Sequence, residues 1–173
     1  MTFASAPVDN RNPREQPPHP SMPAACEPLN AVEVRHSLVH GHGVFATRVI
    51  RAGSVIGRYT GRRYGPAQVQ EHDWDHGVTH VFGLSDGSVI DGADGGNATR
   101  YINHSCTPNC VAYEIEGDHG ELCVEIEALC RIPQGSELFL DYGLDVGDND
   151  PSDYPCCCGR PRCRGTLAAL TVA

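Results

Sequence analysis

The chain has 173 residues, enough for one domain with some extra length and for a core that buries roughly 70% of the unfolded surface. Its 13 basic residues against 22 acidic ones give a net charge of −9, which excludes a strong nucleic-acid binder, since that task needs a basic face. All 13 basic residues are arginine, a bias that codon usage in a GC-rich genome explains, and high glycine (19) and proline (13) with 6% aromatics disfavour a helical bundle and favour a turn-rich β protein.

No apolar run approaches the length of a membrane span, so no membrane partner is expected. The N-terminus lacks a basic start followed by an apolar stretch, so no secretory signal is read there. Nine cysteines in a reduced, intracellular chain point to metal binding rather than a disulfide framework.

In chain order, residues 1–30 read as a disordered arm, with prolines at 7, 13, 17, 18, 20, 23 and 28 breaking any ladder. Strands are expected at Ala31–Arg35, Val44–Ile50 and Val55–Tyr59, the last two separated by the turn Arg51-Ala52-Gly53. Pro66–His76 predicts one short helix. His72, His76 and His80 fall four apart, a metal-compatible spacing, but Gly77 and Val78 end the helix before His80, and a solvated or packing face is the preferred reading. Val78–Leu84 and Ser88–Ile90 predict a hairpin turning at Asp86-Gly87.

A second hairpin has Val111, Tyr113 and Ile115 alternating with Ala112, Glu114 and Glu116, then Leu122, Val124, Ile126 and Ala128 alternating with Cys123, Glu125 and Glu127. This predicts one apolar and one largely acidic face. These acids, with Asp118, Glu121, Asp145, Asp148, Asp150 and Asp153, either steer a basic peptide or form an ordinary solvated surface. Glu137–Leu140 predicts a last short strand. No GxGxxG follows a strand, so a Rossmann site is not supported.

Four segments carry chemistry. Gly41-His42-Gly43 lets backbone approach a ligand closely. The run from Gly96 to Asn109, with Asn103-His104-Ser105-Cys106 at its centre, reads as a satisfied polar network. Tyr142, just past the last strand, can place its hydroxyl at the end of a pocket, although a tyrosine there in isolation reads as a cap on the core edge. Cys156, Cys158 and Cys163 supply three thiolates, and a structural zinc wants a fourth ligand, for which Cys106 is the natural candidate. Cys123 and Cys130 read as small core residues, and Cys157 points away from the cluster.

In their order, these segments resemble the SET-domain lysine methyltransferases with a post-SET zinc motif, over about residues 31–168. The resemblance implies a mainly β, β-clip-like fold of small sheets with a knot-like C-terminal crossing. It divides the chain into a disordered Pro-rich arm at 1–30, a SET domain at 31–145 and a post-SET zinc-binding segment at 146–170. It implies S-adenosylmethionine as cofactor, held by Gly41, His42, Gly43, Asn103, His104, Tyr142, Leu167 and Arg100, and one structural zinc on Cys106, Cys156, Cys158 and Cys163. Tyr142 matches the catalytic tyrosine, Tyr59 a channel-lining one, and Leu140 stands where the family usually has Phe or Tyr. Leucine is narrower than Phe and holds no water, which favours di- or trimethyl product. Arg62, where an acidic residue commonly follows the glycine, is a second departure.

The expected activity is methyl transfer to a lysine of a basic protein, a histone, a histone-like protein or another, inside the cell in the cytoplasm or on the nucleoid or chromatin, with delivery to another cell left open. The alternatives are a catalytically weak SET domain that binds lysine peptides and a small zinc-binding interaction module. The latter leaves the Asn-His-Ser and Asp-Tyr segments unexplained.

Overall fold

The computed structural model describes residues 29, 31–71 and 80–169, and the backbone of Ala4–Ser5. The strands are β1 (Ala4–Ser5), β2 (Val32–His36), β3 (His42–Ala46), β4 (Val55–Tyr59), β5 (Arg62–Tyr64), β6 (Val81–Gly83), β7 (Val89–Asp91), β8 (Asn103–His104), β9 (Cys110–Glu116), β10 (Leu122–Ala128) and β11 (Phe139–Leu140). One α-helix, α1 (Pro66–Glu71), and 3-10 turns at Ala98–Tyr101 and Pro151–Asp153 complete the described elements. They build small sheets in the orders β1-β6-β7-β5, β4-β10-β9, β11-β8 and β2-β3. The mainly β, multi-sheet architecture expected from composition is what forms.

Strand placement follows the sequence patterns closely. The hairpin at Asp86-Gly87 closes with Leu84 N–H on the Ser88 carbonyl at 2.9 Å, and Gly87 takes the left-handed φ of 81° that this turn requires. Asp86 Oδ1 accepts from Ser88 N–H and Oγ, fixing the turn from its own side chain. The expected helix is described over Pro66–Glu71, and the rest of its expected span, to His76, lies outside the described residues. His72 and His76 lie outside the described residues, and His80 sits just ahead of β6, not on a helix face.

The β9–β10 hairpin forms, but the face assigned to β9 is reversed. Pairing puts Ala112 opposite Ile126, Cys110 opposite Ala128 and Glu114 opposite Val124. Directly paired residues share a face, so the buried Val124, Ile126 and Ala128 bring Cys110, Ala112 and Glu114 inward with them. Val111, Tyr113 and Ile115 stand on the other face, half-buried beside Cys123, Glu125 and Glu127. Small residues at 110 and 112 make room for Ile126, and Glu114, at the end of the strand, accepts from Ser85 N–H at 2.7 Å and from the Ser85 hydroxyl. The hairpin acids are therefore divided between two faces and form no single acidic wall.

The main core gathers Val44, Ile56, Ile102, Val124, Ile126, Ile132 and Leu138 between these sheets, with Tyr142 packed at its margin. Cys123 is half-buried and Cys130 exposed, so neither is a core residue. Cys130 follows the end of β10, where the chain bends outward. Cys157 is exposed, as expected. Of the arm, residues 1–3, 6–28 and 30 lie outside the described residues. Ala4–Ser5, which precede the first proline, pair in parallel with β6, a strand the proline content did not suggest.

Candidate functional site

Three chain segments far apart in sequence meet at Asn103. β8 runs parallel to β11, with Asn103 opposite Phe139 and His104 opposite Leu140. This fixes two side chains of the polar run against the segment that ends in Tyr142. Asn103 is buried, and its Nδ2 donates to the His42 carbonyl at 2.9 Å, the His40 carbonyl at 3.2 Å and Glu137 Oε1 at 2.8 Å. The glycine-flanked loop is thereby tied to the core of the site. Gly41 has a left-handed φ of 43°, and a Cβ on Gly43 would meet Glu137 Oε1 at 2.1 Å. The close approach foreseen for that loop is thus against a carboxylate that sequence reasoning did not single out. Its only signal was a charged residue directly before the apolar Leu138-Phe139-Leu140.

Tyr142 donates its hydroxyl to the Ile102 carbonyl at 2.9 Å. Burial, and next the negative charge of Glu137, push its pKa up to about 12. Tyr59 donates to the His80 carbonyl at 2.5 Å, and its pKa lies well above the ordinary tyrosine value, first through burial and then through the charges of Tyr142 and Asp91. Both tyrosines stay neutral hydroxyls throughout the ordinary pH range. Gly92 allows the approach, because a Cβ there would meet Tyr59 Oη at 2.6 Å.

The wall continues through rings and main-chain oxygens. Tyr101 packs between the rings of His42 and His80, each with its centroid 5.7 Å away. Arg100 lies beside it, with its guanidinium 4.6 Å from the Tyr101 ring centre and bonded to the Gly92 carbonyl at 3.0 Å and the Tyr101 hydroxyl at 2.5 Å. Its Nε is buried without a partner. Leu140 is buried in the core cluster against which Tyr142 packs. Arg62 is exposed and pairs with Asp94 at 3.4 Å.

His104 joins the pocket to the cysteine cluster. Its Nδ1 accepts the Tyr142 N–H at 3.1 Å, which assigns the proton to Nε2, and Nε2 faces Cys106 Sγ at 3.4 Å. Burial first, and the nearby Arg164 charge after it, hold its pKa down to about 4 against the pull of Asp141, so the imidazole is neutral.

The Sγ atoms of Cys106, Cys156, Cys158 and Cys163 all lie within 4.8 Å of one another. Cys106 is 3.7 Å from Cys156 and 3.9 Å from Cys163. Tetrahedral zinc with sulfur at about 2.3 Å sets neighbouring sulfurs about 3.8 Å apart, so the four thiols fit a zinc ion. Main-chain N–H groups of Cys158, Arg164 and Gly165 point at three of these sulfurs, at 3.4, 3.5 and 3.4 Å, as suits thiolates. Cys110 is buried elsewhere, its pKa pushed up to about 12 by desolvation, and takes no part.

From the cluster the tail returns over the site. Leu144 N–H binds the Leu167 carbonyl at 3.0 Å, and Arg160 stacks 5.3 Å from the Phe139 ring. Arg164 clasps Asp141, the residue before Tyr142, and also bonds the carbonyls of Thr166 and Leu167. Leu167 is thus placed through the tail. Neither Asp141 nor Arg164 stood out in the sequence.

The fold of small sheets, the glycine loop against Asn103 and the tyrosine beside a cysteine cluster define a SET-type domain. The SET domain family profile matches residues 41–143, more than half of the chain, and the chain belongs to that family. It is 39% identical over 79% of its length to histone-lysine N-methyltransferase 2B of Homo sapiens. It is 37% identical over 79% of its length to histone-lysine N-methyltransferase trithorax of Drosophila melanogaster. It is 33% identical over 85% of its length to the H3 lysine-4 specific histone-lysine N-methyltransferase of Candida albicans. The chain spans 5%, 4% and 14% of these proteins, respectively. Among solved structures it is similar, at 30% identity and a TM-score of 0.59, to a chain of ctPRC2 in an autoinhibited conformation bound to S-adenosylmethionine, covering 69% of this chain and 16% of that one.

Proposed function

We propose that this protein transfers methyl groups from S-adenosylmethionine to a lysine side chain of a basic protein, with histone tails as the first class to test. The observation that carries the reading is the convergence of the Gly41–Gly43 loop, Asn103 and the Tyr142 segment on one site, joined to the cysteine tail through His104. The SET family membership and the names of the relatives support it.

The pocket fits the cofactor by its donor set. Its aromatic walls, its main-chain and Ile102 oxygens, and a loop approach that only glycine permits suit a sulfonium-bearing ligand. When bound, the cofactor would supply a methyl carbon for attack by the amine lone pair, the carbon–sulfur electron pair leaving on sulfur as a thioether. Gly41, His42, Gly43 and Asn103 would hold the methionine end, and His104, with Leu167 from the tail, would hold the adenine end. Arg100 fastens the adjoining wall through Gly92 and Tyr101. Tyr142 and Tyr59 line the lysine channel.

A free lysine has a pKa of about 10.4, so about one in a few thousand is neutral at pH 7. A channel of buried neutral phenols disfavours the ammonium form, which releases its proton to solvent before attack. Leu140, without a hydroxyl, leaves room for a methylated amine, so the product is di- or trimethyl-lysine. The SET domain spans 31–145, the zinc-binding tail spans 146–170, and the site of action is intracellular, in the cytoplasm or on chromatin or nucleoid. Among the described residues no helix is long and apolar enough to cross a membrane.

The deciding experiment supplies labelled cofactor to a panel of lysine-rich proteins, with Tyr142→Phe as control. Transfer to a histone tail that the variant loses, with di- or trimethyl product by mass spectrometry, supports the reading. Cofactor binding without transfer to any target favours a lysine-peptide binding module, and monomethyl product alone at long times rejects the role given to Leu140.

A further inference from the structure

Strand β6 has two edges. One pairs antiparallel with β7, and the other takes Ala4–Ser5 in parallel, with Ala4 opposite Phe82 and Ser5 opposite Gly83. This strand leads straight out of the site. The His80 carbonyl just ahead of it accepts the Tyr59 hydroxyl, the Phe82 ring lies 5.3 Å from the Tyr59 ring, and the His80 ring packs on Tyr101. A strand edge offers a row of unpaired N–H and C=O groups and accepts any extended segment regardless of its side chains. A peptide that presents a lysine to Tyr59 and Tyr142 needs such an extended track beside the channel, and here the chain's own segment is seated on it. That segment is small and uncharged, Ala-Ser, and the whole chain contains no lysine, so its occupant can block the track but cannot react.

We propose that Ala4–Ser5, seated on the β6 edge, are a built-in, lysine-free competitor for an extended substrate peptide at that edge. The proposal rests on the lysine-methyltransferase reading given above. An occupied edge lowers the apparent peptide affinity by the fraction of time it is free, so an arm bound three-quarters to nine-tenths of the time weakens binding about four- to tenfold.

The test uses the full chain. Ala4→Pro combined with Ser5→Pro removes the backbone donors of the competitor without touching the site. A fluorescein-labelled peptide of the first ten residues of a histone H3 tail is titrated by fluorescence anisotropy. The Kd is expected to fall about four- to tenfold, and the KM with it, at unchanged kcat and melting temperature. An unchanged or weaker Kd overturns the proposal. In parallel, Ala4→Lys and Ser5→Lys are incubated separately with cofactor, because adjacent strand residues face opposite ways and the pair tests both directions. One of the two lysines is expected to be methylated at a rate independent of protein concentration. Methylation of neither, while the free peptide is methylated, overturns the proposal. A wild-type chain that modifies no lysine peptide sinks the proposed function instead, and the anisotropy titration still decides whether the arm competes.

Discussion

The Asp141 carboxylate accepts two hydrogen bonds from the Arg164 guanidinium, at 2.6 and 2.5 Å. Asp141 precedes Tyr142 and Arg164 follows Cys163, so this pair joins the tyrosine segment to the cysteine tail independently of any metal. Arg164 is largely buried at the contact, with 14% of its side chain exposed against 40% for Asp141, which lifts the pair above the ordinary surface ion pair.

Lysine cannot reproduce the planar two-pronged contact or the added bonds to the Thr166 and Leu167 carbonyls. Arg164→Lys is therefore expected to weaken S-adenosylmethionine binding about three- to tenfold by calorimetry, at unchanged zinc content by a colorimetric assay. Unaltered affinity would show that the tail is held by its cysteines alone.

Metal removal acts on the same tail from its other side. Cys106 and Cys156 are 50 residues apart in sequence, with sulfurs 3.7 Å apart, and an ion bound by both would fasten the tail across that span. Chelation, or Cys163→Ser, is expected to lower cofactor affinity by tenfold or more and to lower the melting temperature. Calorimetry and a thermal melt check both, and cofactor binding that survives zinc loss contradicts the role given to the tail.

Gly43 has no spare space. An added Cβ would lie 2.1 Å from Glu137 Oε1 and 3.1 Å from Ser37 Cβ, and Glu137 is held in place by Asn103. Gly43→Ala is expected to displace the carboxylate, disturb Asn103 and weaken cofactor binding at least tenfold with little change in melting temperature. Gly41→Ala meets no atom within 4 Å and is penalised only by its φ of 43°, so its binding defect should be smaller.

The pH response follows from the buried phenols. The pKa of Tyr142 stands at about 12 and that of Tyr59 is also raised, so neither loses its proton below the range in which free lysine does. The rate should climb through pH 8–10 as the substrate amine deprotonates, with no falling limb from Tyr142 below about pH 12. Stability has the opposite sign: above about pH 10 the unfolded chain ionises tyrosines that the folded chain keeps neutral, so the unfolded state binds fewer protons and unfolding becomes easier as pH rises. Urea titrations at pH 8, 10 and 11 measure this, and constant stability across that interval rejects the buried-phenol picture.

Much of this was legible in the sequence. The Asp86-Gly87 turn, the strands near Val55–Tyr59 and at Leu122–Ala128, and the four cysteines were readable because turn chemistry, alternation and thiol spacing are local signals. The face of β9 was not. Val111, Tyr113 and Ile115 are the apolar residues, yet register against Ile126 turned Cys110 and Ala112 inward, because the neighbouring strand needed small partners there.

By itself, the sequence determined which segments carry chemistry and in what order, and so the family, the cofactor class and the metal ligand types. Tertiary structure alone decided which distant groups touch. Glu137 reaches Asn103 across 34 residues, Arg164 reaches Asp141 across 23, and Ala4–Ser5 lie along β6. The physical reason is that a carboxylate, a guanidinium or a strand edge accepts many partners with similar strength, and only packing of the remaining chain selects one.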